Sequence, residues 1–397
     1  MDFTPTEAQA EARDLAARIF GDLATHERLR AAGTGSDPEL WKALCAAGLI
    51  GAVADLGLLG LVLLLEEQGR TTAQVPCAAS CVYGLLAVAA HGSAEQRARL
   101  LPAIEDGSAV VAGAFPAQGG VRVSAPVVAD GWAPAVEDGW ASAVEDGSAP
   151  VVADGWAPAV EDGSAGGAGA STAQGGVRGS GPARLTGTVP VVPWLRDATH
   201  VLVADPGQRL WLVAVGEGTG IVPVELTAPW SAARLTLDRA PAEPLGGPEA
   251  YADVLATART AFAGLQAGVC AGSLARAVAH VGAREQFGRP LGTRQAVQLR
   301  AADAYMDTEA IRVTAYEAAW RRDAGMPYAT HALTAAWWAS EAGQRVVHTG
   351  QHLHGGTGAD LDHPVHRHFL WGRQLDAYLG CGAEVLQELG ELIASGE

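Results

Sequence analysis

The sequence predicts an α+β protein in which a helical domain, a β domain and a second helical domain follow one another along the chain. Three patterns indicate this plan: apolar residues recur every three or four positions over 1–107, β-branched runs lie between glycines and prolines over 108–240, and long alanine- and leucine-rich stretches fill 241–397. The chain has 397 residues, of which 49% are apolar. That is enough to bury a sizeable core in two or three domains.

The first domain is predicted to consist of helices. The segments EARDLAARIFGDL, ELWKALCAAGLIG and AEQRARLLPAIEDG have helical spacing, and Thr4 or Thr6 is placed to cap the first helix. The apolar stretch 46–65 is the one candidate for a membrane span, but its unbroken part, 56–65, is much shorter than the roughly 20 residues that a span requires. We therefore expect a buried core helix and no membrane span.

The second domain combines strands with an inserted repeat. The runs RLTGTVPVV, THVLVAD and RLWLVAVGEG predict strands. The segment SAPVVADGWAPAVEDG occupies 124–139 and recurs unchanged at 148–163. Because the repetition stops after two copies, it does not predict a stacked repeat architecture. We interpret it as a tandem insertion in one loop, at about 124–180, and expect a solvated excursion without chemistry, with small hairpins as the alternative.

Composition restricts the partners and the location of the protein. The chain carries 27 basic and 44 acidic residues, a net charge of −17, which repels phosphate backbones and excludes nucleic acid as a partner. Five cysteines, an odd number without a C-x-x-C pair, fit free thiols in a reducing compartment. The N-terminus lacks the basic and apolar segments of a signal peptide, so we expect a cytoplasmic protein.

Two segments of the third domain suggest chemistry. The first, AREQFGRPLGTRQ, places Arg284 at a predicted helix end, where its guanidinium is suited to two oxygens of a pyrophosphate, and Phe287-Gly288 turns the chain beside it. The second, QHLHGGTGADLDHPVHRHFLWGRQ, contains Gly355-Gly356, whose missing Cβ atoms let backbone N–H groups approach a ligand closely. Singly, these features are better explained by a surface ion pair and an ordinary turn. Taken together, and in this order along the chain, they favour a ligand-binding site.

These segments resemble the acyl-CoA dehydrogenase family. The pattern R-x-x-F-G-x-x-L-x-x-x-Q at 284–295 matches a family signature, and LLLEEQGR at 63–70 and GSAEQRARLLPAIEDG at 92–107 agree with its N-terminal domain. The resemblance implies a helical N-terminal domain, a β-barrel-like middle domain and a C-terminal four-helix bundle. It also implies FAD as cofactor, an acyl-CoA thioester as substrate and an electron-transferring flavoprotein as electron acceptor.

The resemblance also implies which residues contact FAD and where the catalytic base belongs. The positions that match the pyrophosphate and adenosine end of FAD are Arg284, Phe287, Leu291, Arg294, Gln295, His352, Gly355 and Gly356. In the family a glutamate removes the α-proton of the thioester, and it stands at one of two positions. Here these positions hold Leu379 and Ala258, so no catalytic residue is expected in this chain.

The same comparison implies a partner subunit. The segments 113–124 and 188–200 lack recognisable counterparts of the family's donors to the flavin ring. The chain thus has the residues that match one end of FAD but lacks both the donors to the flavin ring and the catalytic base. In this it resembles one subunit of the actinobacterial heteromeric (α2β2) acyl-CoA dehydrogenases that act on steroid side-chain CoA thioesters. A second acyl-CoA dehydrogenase-like subunit would then supply the glutamate and the ring platform.

Other interpretations remain open at this level. A self-sufficient dehydrogenase would use a displaced base, Asp376 or Glu384, but we expect these side chains to lie on other helix faces than residue 379. A scaffold that keeps only the fold, without flavin, is another alternative, as is a flavin enzyme of another reaction type. Six of the eleven histidines lie within 348–368, which suggests a metal site, but their spacing does not favour one and we predict none.

Overall fold

The computed structural model describes residues 3–116, 121–124 and 183–396, so the tandem insertion from residue 125 onward lies outside the described residues. The helices are α1 (Glu7–Leu23), α2 (His26–Ala32), α3 (Pro38–Ala46), α4 (Leu49–Thr71), α5 (Cys77–Ala79), α6 (Ala87–His91), α7 (Ala94–Glu105), α8 (Ala250–Ala283), α9 (Gln295–Asp323), α10 (Ala329–His354), α11 (Val365–Leu375) and α12 (Gly382–Ser395), with a π-helical segment, Ser80–Leu86, between α5 and α6. The strands are β1 (Val111–Ala114), β2 (Arg122–Ser124), β3 (Ala183–Val192), β4 (His200–Ala204), β5 (Leu210–Ala214), β6 (Thr219–Pro223), β7 (Ala233–Leu245), β8 (Glu285–Gln286) and β9 (Arg289–Pro290).

The predicted fold class is confirmed, because helices at both ends of the chain enclose a strand-rich middle segment. The three runs predicted as strands fall in β3, β4 and β5. Of the two candidate caps for α1, Thr6 is the one used. Its hydroxyl accepts a hydrogen bond from the Gln9 N–H at 3.3 Å, and the Gln9 side chain accepts one from the Thr6 N–H at 2.9 Å. This reciprocal capping fixes where the first helix begins.

Strands β1 to β7 form one mixed sheet in the order β1-β4-β5-β7-β3-β2, with β6 also paired to β7. The β1–β4 pair is parallel and the other pairs are antiparallel. Buried and exposed positions alternate along much of β7, so that one face packs into the sheet's own core with Val189, Val203 and Val213. The sheet thus has a core separate from that of the helices.

The central helix of the bundle is α8, which packs against α4, α9 and α10. Two glycines lie where α4 and α8 cross. A Cβ on Gly268 would lie 2.0 Å from the Glu66 carbonyl oxygen, and one on Gly69 would lie 2.3 Å from the Leu265 carbonyl oxygen. Only glycine therefore permits this close contact between the two backbones, which joins the N-terminal helices to the C-terminal ones.

Two helices, α4 and α8, are long and apolar enough to cross a membrane by length and composition alone. This corrects the prediction of a single candidate that was too short. The prediction counted only the unbroken run 56–65, whereas α4 extends over 23 residues across a kink at Gly57 (φ 72°), and it did not consider α8. Most of the apolar window of each helix is buried inside the protein, which agrees with the predicted core helix.

A carboxylate from a distant helix stabilises the kink in α4. At the kink the N–H groups of Leu58 and Leu59 lose their helical partners, and both donate to the carboxylate of Asp323, at 2.8 and 2.9 Å. Asp323 is the last residue of α9. It therefore caps the second half of α4 across 265 positions of sequence, as an N-cap side chain does locally.

We expect Asp323→Ala to lower the free energy of unfolding by about 2 kcal/mol, because two backbone donors lose their acceptor in a part-buried place. Urea unfolding followed by circular dichroism measures this change. Asp303→Ala is the control, because Asp303 lies exposed on the same helix and its removal should shift the free energy by less than about 0.5 kcal/mol. Equal midpoints for the two variants would contradict the capping role.

All five cysteines are free thiols, as the sequence predicts. Cys77, Cys81 and Cys270 are buried, and Cys45 is half-buried. Burial raises the pKa of Cys45 to about 12, so the thiolate is scarce at neutral pH. We assign these residues to packing.

Candidate functional site

The segment predicted to bind pyrophosphate forms a tight hairpin at the end of α8. Arg284 follows the last residue of α8, its N–H donates to the His280 carbonyl at 2.8 Å, and its carbonyl accepts from the Leu291 N–H at 2.9 Å. Phe287 (φ 55°) and Gly288 (φ 75°) form the turn between β8 and β9. Phe287 is 89% exposed. The left-handed region is unfavourable for a non-glycine residue, and a ring in solvent adds no packing. The stability of this chain therefore does not explain why residue 287 is a phenylalanine.

Three elements meet at this end of the bundle. Val281 of α8 and Leu353 of α10 form a small buried cluster with Ala277, and Leu291 and Val297 pack against it. This cluster brings the hairpin, the start of α9 and the end of α10 together. We call this region, defined by Arg284–Gln295 and His352–Gly356, the hairpin end.

The hairpin end carries two arginines with unused hydrogen-bonding capacity. The Arg284 side chain is exposed and has no hydrogen-bond or ion-pair partner among the described residues. The guanidinium of Arg294 lies 5.3 Å from the centre of the Phe287 ring, and its Nε atom is buried without a hydrogen-bond partner in the described part of the chain. Gln295, the first residue of α9, is exposed beside them. These groups are suited to the oxygens of a phosphate or diphosphate.

The glycine pair ends α10 at the same place. Gly355 (φ 61°) adopts a conformation that favours glycine, whereas Gly356 has no such backbone requirement. A Cβ on either residue would meet no atom of this chain within 4 Å. The packing of the chain therefore does not explain why residue 356 is a glycine. His352, one turn earlier, is exposed and lines a groove between α9 and α10 of about 800 Å³ with Arg300 and Asp307.

The two expected base positions lie in the interior. Ala258 is fully buried in α8, and Leu379 is 6% exposed. The void beside Leu379 has a volume of about 20 Å³ and is lined by residues that include Arg259, Phe262 and Tyr378. That volume holds about one water molecule, whereas small-molecule pockets measure roughly 300 to 1,000 Å³. An acyl thioester has no room there in this conformation.

Aromatic side chains fill the surrounding space. Their ring centres lie 4.5 to 6.5 Å apart in contacting pairs, and two of their hydroxyls are hydrogen-bonded, those of Tyr83 and Tyr378, at 3.0 Å. Burial raises the pKa of both tyrosines well above the usual range, so they stay neutral. We call this set the aromatic cluster: Tyr83, Phe115, Trp194, Trp230, Tyr251, Phe262, Trp371 and Tyr378.

The two carboxylates considered as displaced bases make contacts elsewhere. The carboxylate of Asp376 accepts from the Ser340 hydroxyl at 2.6 Å and lies 3.0 Å from the Arg373 guanidinium. Glu384 accepts from the Cys381 N–H at 3.0 Å and caps α12. The expectation that residues 376, 379 and 384 lie on one helix was wrong, because residues 376–379 form a turn between α11 and α12. The contacts of both carboxylates still disfavour Asp376 and Glu384 as the catalytic base.

The histidine-rich segment bends around the end of α10. His354 is buried, and its ring lies between those of His280 and His363. Within residues 3–116, 121–124 and 183–396, no group of three or more histidine, cysteine, aspartate or glutamate side chains is placed to hold a metal ion. His352 and His354 both belong to α10.

Two features of this region escaped the sequence argument. The aromatic cluster draws its members from widely separated segments between residues 83 and 378, so no local pattern could reveal it. The contact of His280 with His354 joins residues 74 positions apart, and only the alignment of α8 and α10 brings them together. The sole sequence signal for the latter was the histidine count in the last segment.

The geometry agrees with the family match. The description "Acyl-CoA dehydrogenase, N-terminal domain" matches residues 6–108, and "Acyl-CoA dehydrogenase, C-terminal domain" matches residues 246–389. A mycobacterial relative matches over 99% of this chain and 99% of its own length. The chain belongs to the acyl-CoA dehydrogenase family, whose members are FAD-dependent flavoproteins.

Three relatives match nearly the whole length of the chain. The chain is 32% identical to acyl-CoA dehydrogenase FadE27 of Mycobacterium tuberculosis, over 99% of each chain. Among solved structures, it is similar to a chain of the Tcur3481–Tcur3483 steroid ACAD, with 39% identity, 98% coverage of each chain and a TM-score of 0.80. It is also similar to a chain of the ChsE4–ChsE5 complex of Mycobacterium tuberculosis, with 28% identity, 99% coverage of each and a TM-score of 0.80.

Proposed function

We propose that this chain is the subunit without a catalytic base in a heteromeric FAD-dependent acyl-CoA dehydrogenase. It holds the diphosphate and adenosine end of FAD, through Arg284, Arg294, Gln295 and the glycine pair, in a site that a different subunit completes. The acyl group is bulky, of the steroid side-chain type, because one close structural relative is named a steroid ACAD. Cytoplasmic location and an electron-transferring flavoprotein as acceptor belong to the same proposal.

The observation that carries this proposal is the contrast between the two halves of the expected site. At the hairpin end, exposed donors and an unobstructed glycine face solvent, so they are free to hold an outside ligand. At Leu379 and Ala258, no carboxylate is present and the aromatic cluster leaves about 20 Å³. Trp194, in the segment expected to face the flavin ring, is instead buried against Trp230, with ring centres 4.5 Å apart. The chain therefore has the residues for one half of the site, the half that binds the diphosphate of FAD.

The chemistry divides between the subunits accordingly. FAD supplies the acceptor for the β-hydrogen, which leaves the acyl-CoA as hydride while a carboxylate takes the α-proton. In our proposal that carboxylate belongs to the partner. The residues of this chain bind and orient: Arg284 offers parallel donors to phosphate oxygens, and Gly356 lets the backbone approach them.

The surface next to the hairpin end is suited to a partner. Six of the ten large apolar side chains most exposed in the described residues lie between positions 278 and 313. Three of them, Leu299, Met306 and Val313, recur at seven-residue spacing on α9, so they lie along one helix face. Three large exposed apolar side chains on one helix face are more typical of an interface than of a monomer surface.

We expect the double substitution Leu299→Asp and Met306→Asp to abolish complex formation, because two desolvated charges would be placed in the centre of the contact. Co-purification on a tag carried by the partner measures this loss. Leu386→Asp with Ile393→Asp is the matched control, because these residues are exposed to a similar degree on α12. If both double variants co-purify equally well, α9 does not form the interface.

The experiment that tests the proposal compares this chain expressed alone with the same chain co-expressed with the acyl-CoA dehydrogenase-like product of a neighbouring gene. Reduction of an artificial electron acceptor by a steroid side-chain CoA thioester is the assay. The proposal predicts activity for the complex and none for either chain alone. Activity of the isolated chain would contradict it and would favour a displaced base in this chain.

A further inference from the structure

Three histidine rings lie together beside the glycine pair, His280 stacked on His354 and His363 tilted against it. His280 lies in the last turn of α8, His354 ends α10 and His363 lies in the loop before α11. The ring centres of His280 and His354 are 4.6 Å apart, and those of His354 and His363 are 5.0 Å apart. His354 is 5% exposed and immediately precedes Gly355. We call these three residues the histidine stack.

Hydrogen bonds define which ring nitrogens are able to bind a proton. The Nδ1 atom of His354 lies 2.7 Å from the Gly350 carbonyl oxygen, so it donates, and Nε2 is the basic nitrogen. The Nδ1 atom of His363 accepts from the Val365 N–H at 3.3 Å, which favours the neutral ring. His280 has no hydrogen-bond partner among the described residues. His280 and His354 thus each retain a basic nitrogen without a partner among the described residues, whereas the basic nitrogen of His363 accepts from Val365.

The surroundings of the stack are short of negative charge. Arg276 lies one turn before His280 on α8, Arg284 follows it at the hairpin, and the Nδ1 atom of His366 lies 2.6 Å from the His363 carbonyl oxygen. The nearby carboxylate is that of Asp360. Burial, with these cations and the neighbouring rings, lowers the pKa of His280 and of His363. Protonation of His280 and His363 is therefore disfavoured until an anion binds.

We propose that the histidine stack is a proton-coupled binding site for the diphosphate group of a nucleotide ligand. This inference rests on the proposed function, which brings the diphosphate of FAD to Arg284 and the glycine pair. A dianionic diphosphate beside the rings favours their charged form, so the ligand binds together with protons. The stack thus positions the diphosphate and makes its affinity depend on pH.

The direction in which the affinity changes with pH follows from the lowered pKa values of His280 and His363. Without the anion, the pKa values of His280 and His363 lie below the ordinary histidine value of about 6.5, so both rings are neutral at pH 7. With the anion bound, the pKa values rise and protons are taken up. Affinity therefore increases as the pH falls from 8 to 6 and is lost as the pH rises. The diphosphate diester itself keeps both charges over this range.

The test measures FAD affinity of the complete heteromeric complex at pH 6, 7 and 8, by quenching of flavin fluorescence. For the wild type we expect the dissociation constant to rise about tenfold from pH 6 to 8, as one coupled histidine predicts. In the variant His280→Asn with His363→Asn the rise should be under about threefold. His331→Asn is the control, because His331 lies near the other end of α10, roughly 35 Å away by helix rise, and it should keep the wild-type slope.

A parallel titration with free coenzyme A identifies the source of the diphosphate. If the variant flattens the pH slope for one of the two ligands, the proposal holds and that ligand is the occupant. Equal slopes in the wild type and the variant, for both ligands, overturn the histidine stack but leave the proposed function intact. A complex that binds no FAD at any pH overturns the proposed function, and with it the assignment of this site.

Discussion

Gly356→Val is expected to remove FAD from the complex while leaving the free chain as stable as the wild type. A Cβ at this position meets no atom of the chain within 4 Å, and Gly356 has no positive φ that requires glycine. If the backbone of the glycine pair approaches the cofactor, the added atoms occupy its place. A clash of about 3 kcal/mol corresponds to roughly a hundredfold loss of affinity.

Flavin retained per complex after gel filtration and the melting temperature of the free chain measure the two halves of this prediction. Gly390→Val is the matched control, because a Cβ on this α12 residue also meets nothing within 4 Å. It should retain flavin. If Gly356→Val keeps its FAD, the glycine pair is an ordinary turn, as the simpler interpretation of the sequence holds.

Arg284→Ala should weaken FAD binding by about ten- to a hundredfold, which is 1.5 to 3 kcal/mol for a hydrogen-bonded charge. The side chain is exposed and lacks a partner within the described residues, so stability should not change. Arg284→Lys should recover only part of the loss, because an ammonium keeps the charge but not the parallel donors of a guanidinium.

The control for Arg284 is Arg289→Ala, which removes an exposed charge of the same kind from the opposite strand of the hairpin. Titration of FAD into the complex at low and high salt compares the three variants. If Arg289→Ala weakens binding as much as Arg284→Ala, the effect is one of net charge near the site. A specific diphosphate contact would then be excluded.

The sequence predicted those features whose physical cause is local. The cap at Thr6, the strands β3 to β5 and the end of α8 at Arg284 follow from side chains within a few positions of one another. The hairpin is similar, because Phe287 and Gly288 form the whole two-residue turn between β8 and β9. The end of α8 and the hairpin carry the family motif, and the other elements follow from local patterns, which is why the fold class was predictable.

Features that depend on long-range contacts were not predictable. The capping of α4 by Asp323 joins positions 265 apart, so no local pattern indicates it. The aromatic cluster and the histidine stack likewise arise only after the helices pack. In each case the residues are ordinary in their own segment, and their role comes from neighbours that only the tertiary structure supplies.

The most direct test of the central claim is the number of FAD molecules in the purified complex. Flavin absorbance after denaturation, divided by the amount of each chain, gives this ratio. The account predicts about one FAD per pair of unlike chains, because only one of the two possible sites combines a ring platform and a base with the hairpin end of this chain. One FAD per chain, or a flavin-loaded preparation of this chain alone, would contradict it.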